Sequence, residues 1–184
     1  MDKVIFQASS LDDGAGSFDS VTGNLAVEDF TMGSIDYSIP EGIEYVVNLS
    51  NIGDAIVATG TATATVVGQC ARCPEPATEY VVSDVEGYFT LFEDSDVEGM
   101  EDDEYELVPE SGEIDLADSI RSAIVVEMPT TFLCKDDCKG LCPSCGCNLN
   151  EEQCGCADKP DEMNPFYALK DFFAQEGEDG AGGE

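Results

Sequence analysis

The sequence contains no histidine. That removes imidazole as a general base, so Ser-His-Asp triads and His-based acid–base chemistry are excluded. Any metal site must then be built from thiolates, with carboxylates as the other donors. Positive charge is also scarce: seven Lys and Arg stand against forty Asp and Glu, for a net charge of −33 over 184 residues. Such a chain repels phosphate backbones, which excludes a broad direct nucleic-acid surface. Basic proteins, or a partner docking through a small positive patch, remain open. Long apolar runs are missing as well. No stretch approaches a membrane span, and MDKVIFQASSLDD lacks the basic-then-apolar order of a leader. The expectation is a cytoplasmic protein with reduced thiols and no membrane partner.

Cysteine is what the chain has in excess. Seven of its nine cysteines fall in the twenty-three residues from Cys134 to Cys156, and Cys70 and Cys73 form a CxxC pair upstream. In a reducing compartment that density points to metal rather than disulfides. A CxxC turn puts both sulfurs on one side of the backbone with amides aimed at them. Four pairs can be drawn: Cys70/Cys73, Cys134/Cys138, Cys142/Cys145 and Cys154/Cys156. CPSCG, with Pro143 and Gly146, has the strongest turn signature.

Eight thiolates make two tetrahedral structural zinc sites, with Cys147 as the spare. The local set is Cys142, Cys145, Cys154 and Cys156, a small ribbon-like unit. Cys70, Cys73, Cys134 and Cys138 remain for a site that would cross-link sheet to helix. An iron–sulfur cluster would also use four thiolates and is kept as an alternative, as is a zinc-handling role. A thioredoxin-like role for Cys70-Ala-Arg-Cys73 needs a helix after the pair, where the pattern here continues as strand. Arg72, Lys135, Lys139 and Lys159 lie in or beside the cysteine motifs, where they would offset thiolate charge.

Along the chain, residues 4–6 read as a short strand and the Asp/Gly/Ser-rich piece after them as loop. Residues 30–40 alternate as one weak strand, and GIEYVVNLS (42–50) as a better one. Residues 54–68 form the clearest strand, with Thr59, Thr61, Thr63 and Thr65 on one face and Ala58, Gly60, Ala62, Ala64 and Val66 on the other. Residues 78–92 resume as a partner strand, which puts the Cys70/Cys73 pair at a hairpin tip. Nine carboxylates in Glu93–Glu106 read as a solvated loop. Residues 114–128 predict a helix with Asp115 as its cap and Leu116, Ile120, Ile124 and Met128 on one face, stopped by Pro129.

The expected organisation is a β-rich core domain over 1–130, a zinc-binding segment over 131–158, a helix over 159–175 and a disordered acidic tail over 176–184. The helix would be capped by Asn164 and carry Phe166, Leu169, Phe172 and Phe173 on one face. The fold class is α+β: an antiparallel sheet, open or barrel-like, with one covering helix and a C-terminal zinc-bound extension.

CARCPEP in a hairpin, then GEIDLADSIRSAIVVEMP, LCKDDCKGLCPSCGCNLN and a closing NPFYALKDF, in that order, resemble the YceD-type family over about residues 40–174. Its members are described as large ribosomal RNA subunit accumulation proteins. The resemblance implies a cytosolic bacterial or organellar factor with no established catalytic residues, whose gene commonly neighbours that of a small zinc-ribbon protein of the large subunit. It aligns Cys70, Cys73, Cys134, Cys138, Cys142 and Cys145 with family motifs. Some relatives carry histidine at the positions of Cys134/Cys138 or Cys154/Cys156, as zinc ligands do, and others lack most of these cysteines. Zinc is thus implied to be structural. The expected function is that of a non-enzymatic ribosome-biogenesis factor for accumulation or processing of large-subunit ribosomal RNA. Given the charge, it would act through a basic large-subunit ribosomal protein or a pre-50S particle.

Overall fold

The structure, a computed structural model, describes residues 2–11, 14–91 and 105–158. The expected C-terminal helix, the acidic tail and most of the Glu93–Glu106 run lie outside the described residues. The chain divides into two compact units, Met1–Cys138 and Lys139–Glu184.

In the first unit the strands are β1 (Ile5–Gln7), β2 (Phe18–Leu25), β3 (Phe30–Met32), β4 (Ile35–Tyr37), β5 (Ile43–Asn51), β6 (Ala55–Gln69), β7 (Pro76–Thr90), β8 (Glu106–Leu107) and β9 (Glu113–Asp115). The helix is α1 (Ala117–Glu127). Five strands form the main sheet in the order β2–β5–β6–β7–β8, with two small two-stranded sheets, β1–β9 and β3–β4. All pairings are antiparallel except β7–β8, where Phe89 and Thr90 face Glu106 and Leu107 in parallel. α+β therefore holds. The barrel does not, because among the described residues the sheet keeps two free ends, β2 and β8.

The β6–β7 hairpin organises the unit. Its register runs without a break from Ala55↔Thr90 to Gln69↔Pro76. Alternation of Ala58, Ala62, Ala64 and Val66 with threonines buries the first set and leaves Thr59 and Thr61 exposed. Val81, Val85 and Phe89 do the same on β7. At Gly60 an added Cβ would lie 2.7 Å from the Cα of Val47 on β5, so only glycine lets these central strands pair at this point.

α1 lies chiefly over β7. Leu116, Ile120 and Ile124 are fully buried, contributing roughly 1.5–3 kcal/mol each. The helix starts three residues later than its apolar pattern suggests, because Glu113–Asp115 pairs with Ile5–Gln7 instead. Asp115 still serves the helix start: its carboxylate accepts the amides of Ala117 and Val4, both at 3.1 Å. That one side chain ties β1 to the first turn.

Two other readings change. The polar stretch after β1 contains β2, an eight-residue edge strand rather than loop. Only Leu25 of it is buried, so it shows no alternation to read. Residues 30–40 are a tight hairpin, not one strand, because Gly33 turns the chain at φ 65° and pairs Met32 with Ile35. This hairpin is anchored to β6 through reciprocal backbone bonds between Ser38 and Val67, each 2.9 Å. Among the described residues no helix is long and apolar enough to cross a membrane.

Candidate metal centres

The first centre grows from the β6–β7 tip. Cys70 ends the strand pairing with its amide donating to the Glu75 carbonyl at 3.0 Å, and the next amide, Ala71, donates to Phe132 at 2.8 Å. That second bond draws the segment after α1 against the tip. Phe132 is buried and packs on Tyr37 with ring centroids 5.2 Å apart, and Tyr37 stacks on Phe30 at 5.7 Å. An added Cβ at Gly68 would lie 2.8 Å from the Tyr37 ring, so the aromatic row needs glycine beneath it. The result brings Cys134 and Cys138 to Cys70 and Cys73.

The four sulfurs lie within 4.8 Å of one another. Cys70–Cys138 is 3.8 Å, Cys73–Cys138 3.7 Å and Cys73–Cys134 3.5 Å. All nine cysteines are free thiols. Four thiolates at about 2.3 Å from a tetrahedral zinc ion stand ~3.8 Å apart, so the spacing fits a single ion. Cys70, Cys73 and Cys138 are also members of the hydrophobic core, and Cys134 packs against it.

The surroundings suit anionic sulfur. The amide of Arg72 donates to Cys70 Sγ at 3.4 Å, and the Arg72 guanidinium donates to the Cys138 carbonyl at 2.9 Å. The one cation inside the first CxxC therefore ties the hairpin tip to the fourth cysteine. Burial pushes the Cys70 thiol up, but the amides of Arg72, Cys134 and Cys73 together outweigh it and bring it down to about 6. Cys134 goes the other way: burial, then the neighbouring thiols of Cys73, Cys138 and Cys70, push it up to about 12. Thiols this close cannot all ionise unless a cation joins them. A divalent metal resolves that conflict, and the donor set is the one zinc takes.

The second centre is local and lies in the second unit. Leu141 and Asn148 form an antiparallel bridge, closed by Cys142 donating to the Cys147 carbonyl at 2.8 Å and Leu149 to Gly140 at 2.9 Å. Within that loop Gly146, at φ 75°, donates back to the Cys142 carbonyl at 2.8 Å. This is the turn the CPSCG spacing predicts. Asn148 holds the far side, its Oδ1 accepting the Asn150 amide at 3.1 Å and its Nδ2 donating to Glu151 at 3.1 Å. A short 3₁₀ turn, Gly155–Asp158, then returns Cys156.

Cys142, Cys145, Cys154 and Cys156 again lie with all sulfurs within 4.8 Å. The amides of Cys145 and Ser144, then the Cys154 thiol, hold Cys142 down near 6. The Cys145 thiol and then burial push Cys156 up to about 11. Cys145 is exposed and only Cys142 is buried, so this centre is the wetter of the two.

The eight cysteines read as ligands thus come together as two sets of four, each able to hold a metal ion. One feature is not legible in the sequence: the aromatic row beside the first centre is hidden because its members sit on three separate segments. Cys147, read as spare, belongs to neither set of four; its carbonyl accepts the Cys142 amide at 2.8 Å. Arg72 and Lys135 flank the first set and Lys139 the second, all exposed, while Lys159 lies outside the described residues.

The family model described as "Large ribosomal RNA subunit accumulation protein YceD" matches residues 58–173, from within β6 to beyond the last cysteine. The chain is 34% identical over 120 residues to an uncharacterized protein of Mycobacterium tuberculosis, covering 65% of this chain and 56% of that one. A maize protein named large ribosomal RNA subunit accumulation protein YCED homolog 1, chloroplastic, is 31% identical over 130 residues, covering 56% of this chain and 44% of its own. The Arabidopsis thaliana protein of the same name is 34% identical over 76 residues, 40% of this chain and 24% of its own. The chain spans about half the length of the mycobacterial relatives it matches. No solved structure matches it. On the family match, the chain belongs to the YceD family of large ribosomal RNA subunit accumulation proteins.

Proposed function

We propose that the protein is a non-enzymatic, cytoplasmic factor that supports accumulation of large-subunit ribosomal RNA, with a structural zinc ion in each cysteine set. The observation that carries the ribosomal reading is the family match over residues 58–173. The names of the two plant relatives point the same way. Zinc is favoured by the spacing. A polynuclear iron–sulfur core would spread its thiolates beyond the 4.8 Å within which each set lies, whereas one tetrahedral ion would not.

Charge narrows how such a factor works. At −33 the chain is repelled by RNA as a whole. It acts by holding a basic large-subunit ribosomal protein, or by docking on a pre-50S particle through the exposed cations Arg72 and Lys135 beside the first set. Pull-down of the tagged full chain at moderate salt should recover large-subunit proteins or pre-50S particles. Recovery of neither rejects the reading. A colourless preparation containing zinc supports the metal assignment, and a brown one with acid-labile sulfide overturns it.

A further inference from the structure

β7 is paired along its whole length with β6, but on its other side β8 reaches only Phe89 and Thr90. The ends of the strand show which residues face that open side. Leu91 donates to the Asp54 carbonyl and the Glu75 carbonyl accepts from Cys70, so odd-numbered residues turn their backbone groups toward β6. The Thr90 carbonyl accepts from Val108, so even-numbered residues turn theirs outward. Thr78, Tyr80, Val82, Asp84, Glu86 and Tyr88 therefore present backbone groups that no described residue pairs with. The usual guards of such an edge are missing. β7 has no lysine and no bulge, and its one proline stands at its first residue.

A cleft of about 500 Å³ runs beside this edge. Gly87 and Phe89 line it as well as Asp84, Glu86 and Tyr88, so it follows the edge of the strand rather than one face. Its opposite wall is the flank of α1, with Ala123 and the 79% exposed Val126. No Lys or Arg lines the cleft among the described residues, whereas Asp84, Glu86, Glu106, Asp118 and Glu127 all do. Of these carboxylates, Asp118 is engaged by Arg121 at 2.9 Å. A second copy of this chain, at −33, is repelled from such an edge, and a cationic strand is attracted to it.

We propose that the open edge of β7 and the flank of α1 form a docking groove that takes an extended Lys/Arg-rich segment of a partner protein as an added strand. Main-chain bonds to the even-numbered residues hold the segment. Basic side chains at alternate positions meet Asp84 and Glu86, and the apolar ones between them meet Ala123 and Val126. The groove deepens, and rests on, the reading that the chain holds a basic protein.

The test uses the full chain and a synthetic peptide of alternating Lys and Val as long as the Thr78–Tyr88 edge. Its control is the same peptide N-methylated at alternate residues, which keeps the charge but cannot complete the ladder. At physiological salt the control should bind at least about ten-fold more weakly, since several main-chain bonds are lost. Equal binding of the two peptides overturns strand addition and leaves a bare charge effect. The amides of Tyr80, Val82, Asp84 and Glu86 should exchange freely in the chain alone and slow at least about ten-fold with peptide. Protection already present in the chain alone means that its own segment or a second copy fills the groove, and overturns the proposal. Val82→Pro removes only an outward-facing amide and should weaken the peptide, as should Asp84→Lys with Glu86→Lys. Asp19→Lys with Glu41→Lys, an equal charge change at exposed sites outside the cleft, should not, and equal loss in both charge pairs counts against the groove. If the Asp84/Glu86 variant still recovers large-subunit proteins at the wild-type level, the groove is rejected while the ribosomal reading stands. If wild type recovers none, that reading fails, whatever the peptide does.

Discussion

The two cysteine sets have the same donors, each with its sulfurs within 4.8 Å of one another, but they sit in opposite kinds of structure. Cys70 and Cys138 are 68 residues apart, and three of the four cysteines in their set are buried in the hydrophobic core. Cys142 and Cys156 are fourteen residues apart, and one of the four cysteines in their set is buried. Closing the longer loop removes ~1.4 kcal/mol more chain entropy by the logarithmic length rule alone. The larger difference is what else must be ordered. The first set is completed only when the hairpin tip, the Phe132 segment and the end of α1 are all in place. The second needs only its own turns. An ion in the first set therefore supports the whole first unit, while an ion in the second supports a local fold.

The largest effect should come from breaking the first set. Cys70→Ser is expected to release its ion and lower the melting midpoint of the first unit by on the order of 10 °C, equivalent to ~3 kcal/mol or more. Cys154→Ser should free its own ion and leave that midpoint within a degree or two. Calorimetry with parallel zinc analysis reads both, and equal shifts would mean the division is wrong. Next is Gly60→Ala, which forces a methyl against the Val47 backbone and should cost about 1–3 kcal/mol. Because it acts through the sheet, both ions should remain bound below the lowered midpoint. If it instead released the first ion while the sheet stayed folded, that centre would not be part of the core.

Gly146→Ala sharpens the other side. Nothing lies within 4 Å of an added Cβ there, but φ is 75°, so the penalty is conformational, about 1–2 kcal/mol. Metal affinity at the second set should fall by roughly five- to thirty-fold, with the first set unmoved, as competition with a chromogenic chelator would show. The smallest effect is Arg72→Ala, which removes the 2.9 Å bond to the Cys138 carbonyl. About 0.5–1.5 kcal/mol is at stake, and the ion of the first set should be retained.

Much of this is legible in the sequence. Residues 54–68 and 78–92 alternate because both strands bury one face and wet the other, and that alternation puts Cys70 and Cys73 at a tip. The face of Leu116, Ile120, Ile124 and Met128 was legible for the same reason. β2 was not, because both faces of an edge strand such as Phe18–Leu25 meet solvent and no period survives. The β3–β4 hairpin looked like one strand, since Gly33 interrupts the chain without disturbing the two-residue period. The open sheet was beyond reach too: whether strands close into a barrel depends on pairings such as β7–β8 that two residues carry. Counting to eight leaves Cys147 over, and the folded turn likewise keeps it out of both sets of four.

An ion in the first set should be part of the fold, and one in the second should not. A stepwise chelator titration of the full chain, followed by metal release and circular dichroism together, tests it directly. The expected result is two stages: one ion leaves with the sheet signal intact, then the other leaves together with cooperative loss of that signal. Release of both ions with the sheet still folded would contradict it.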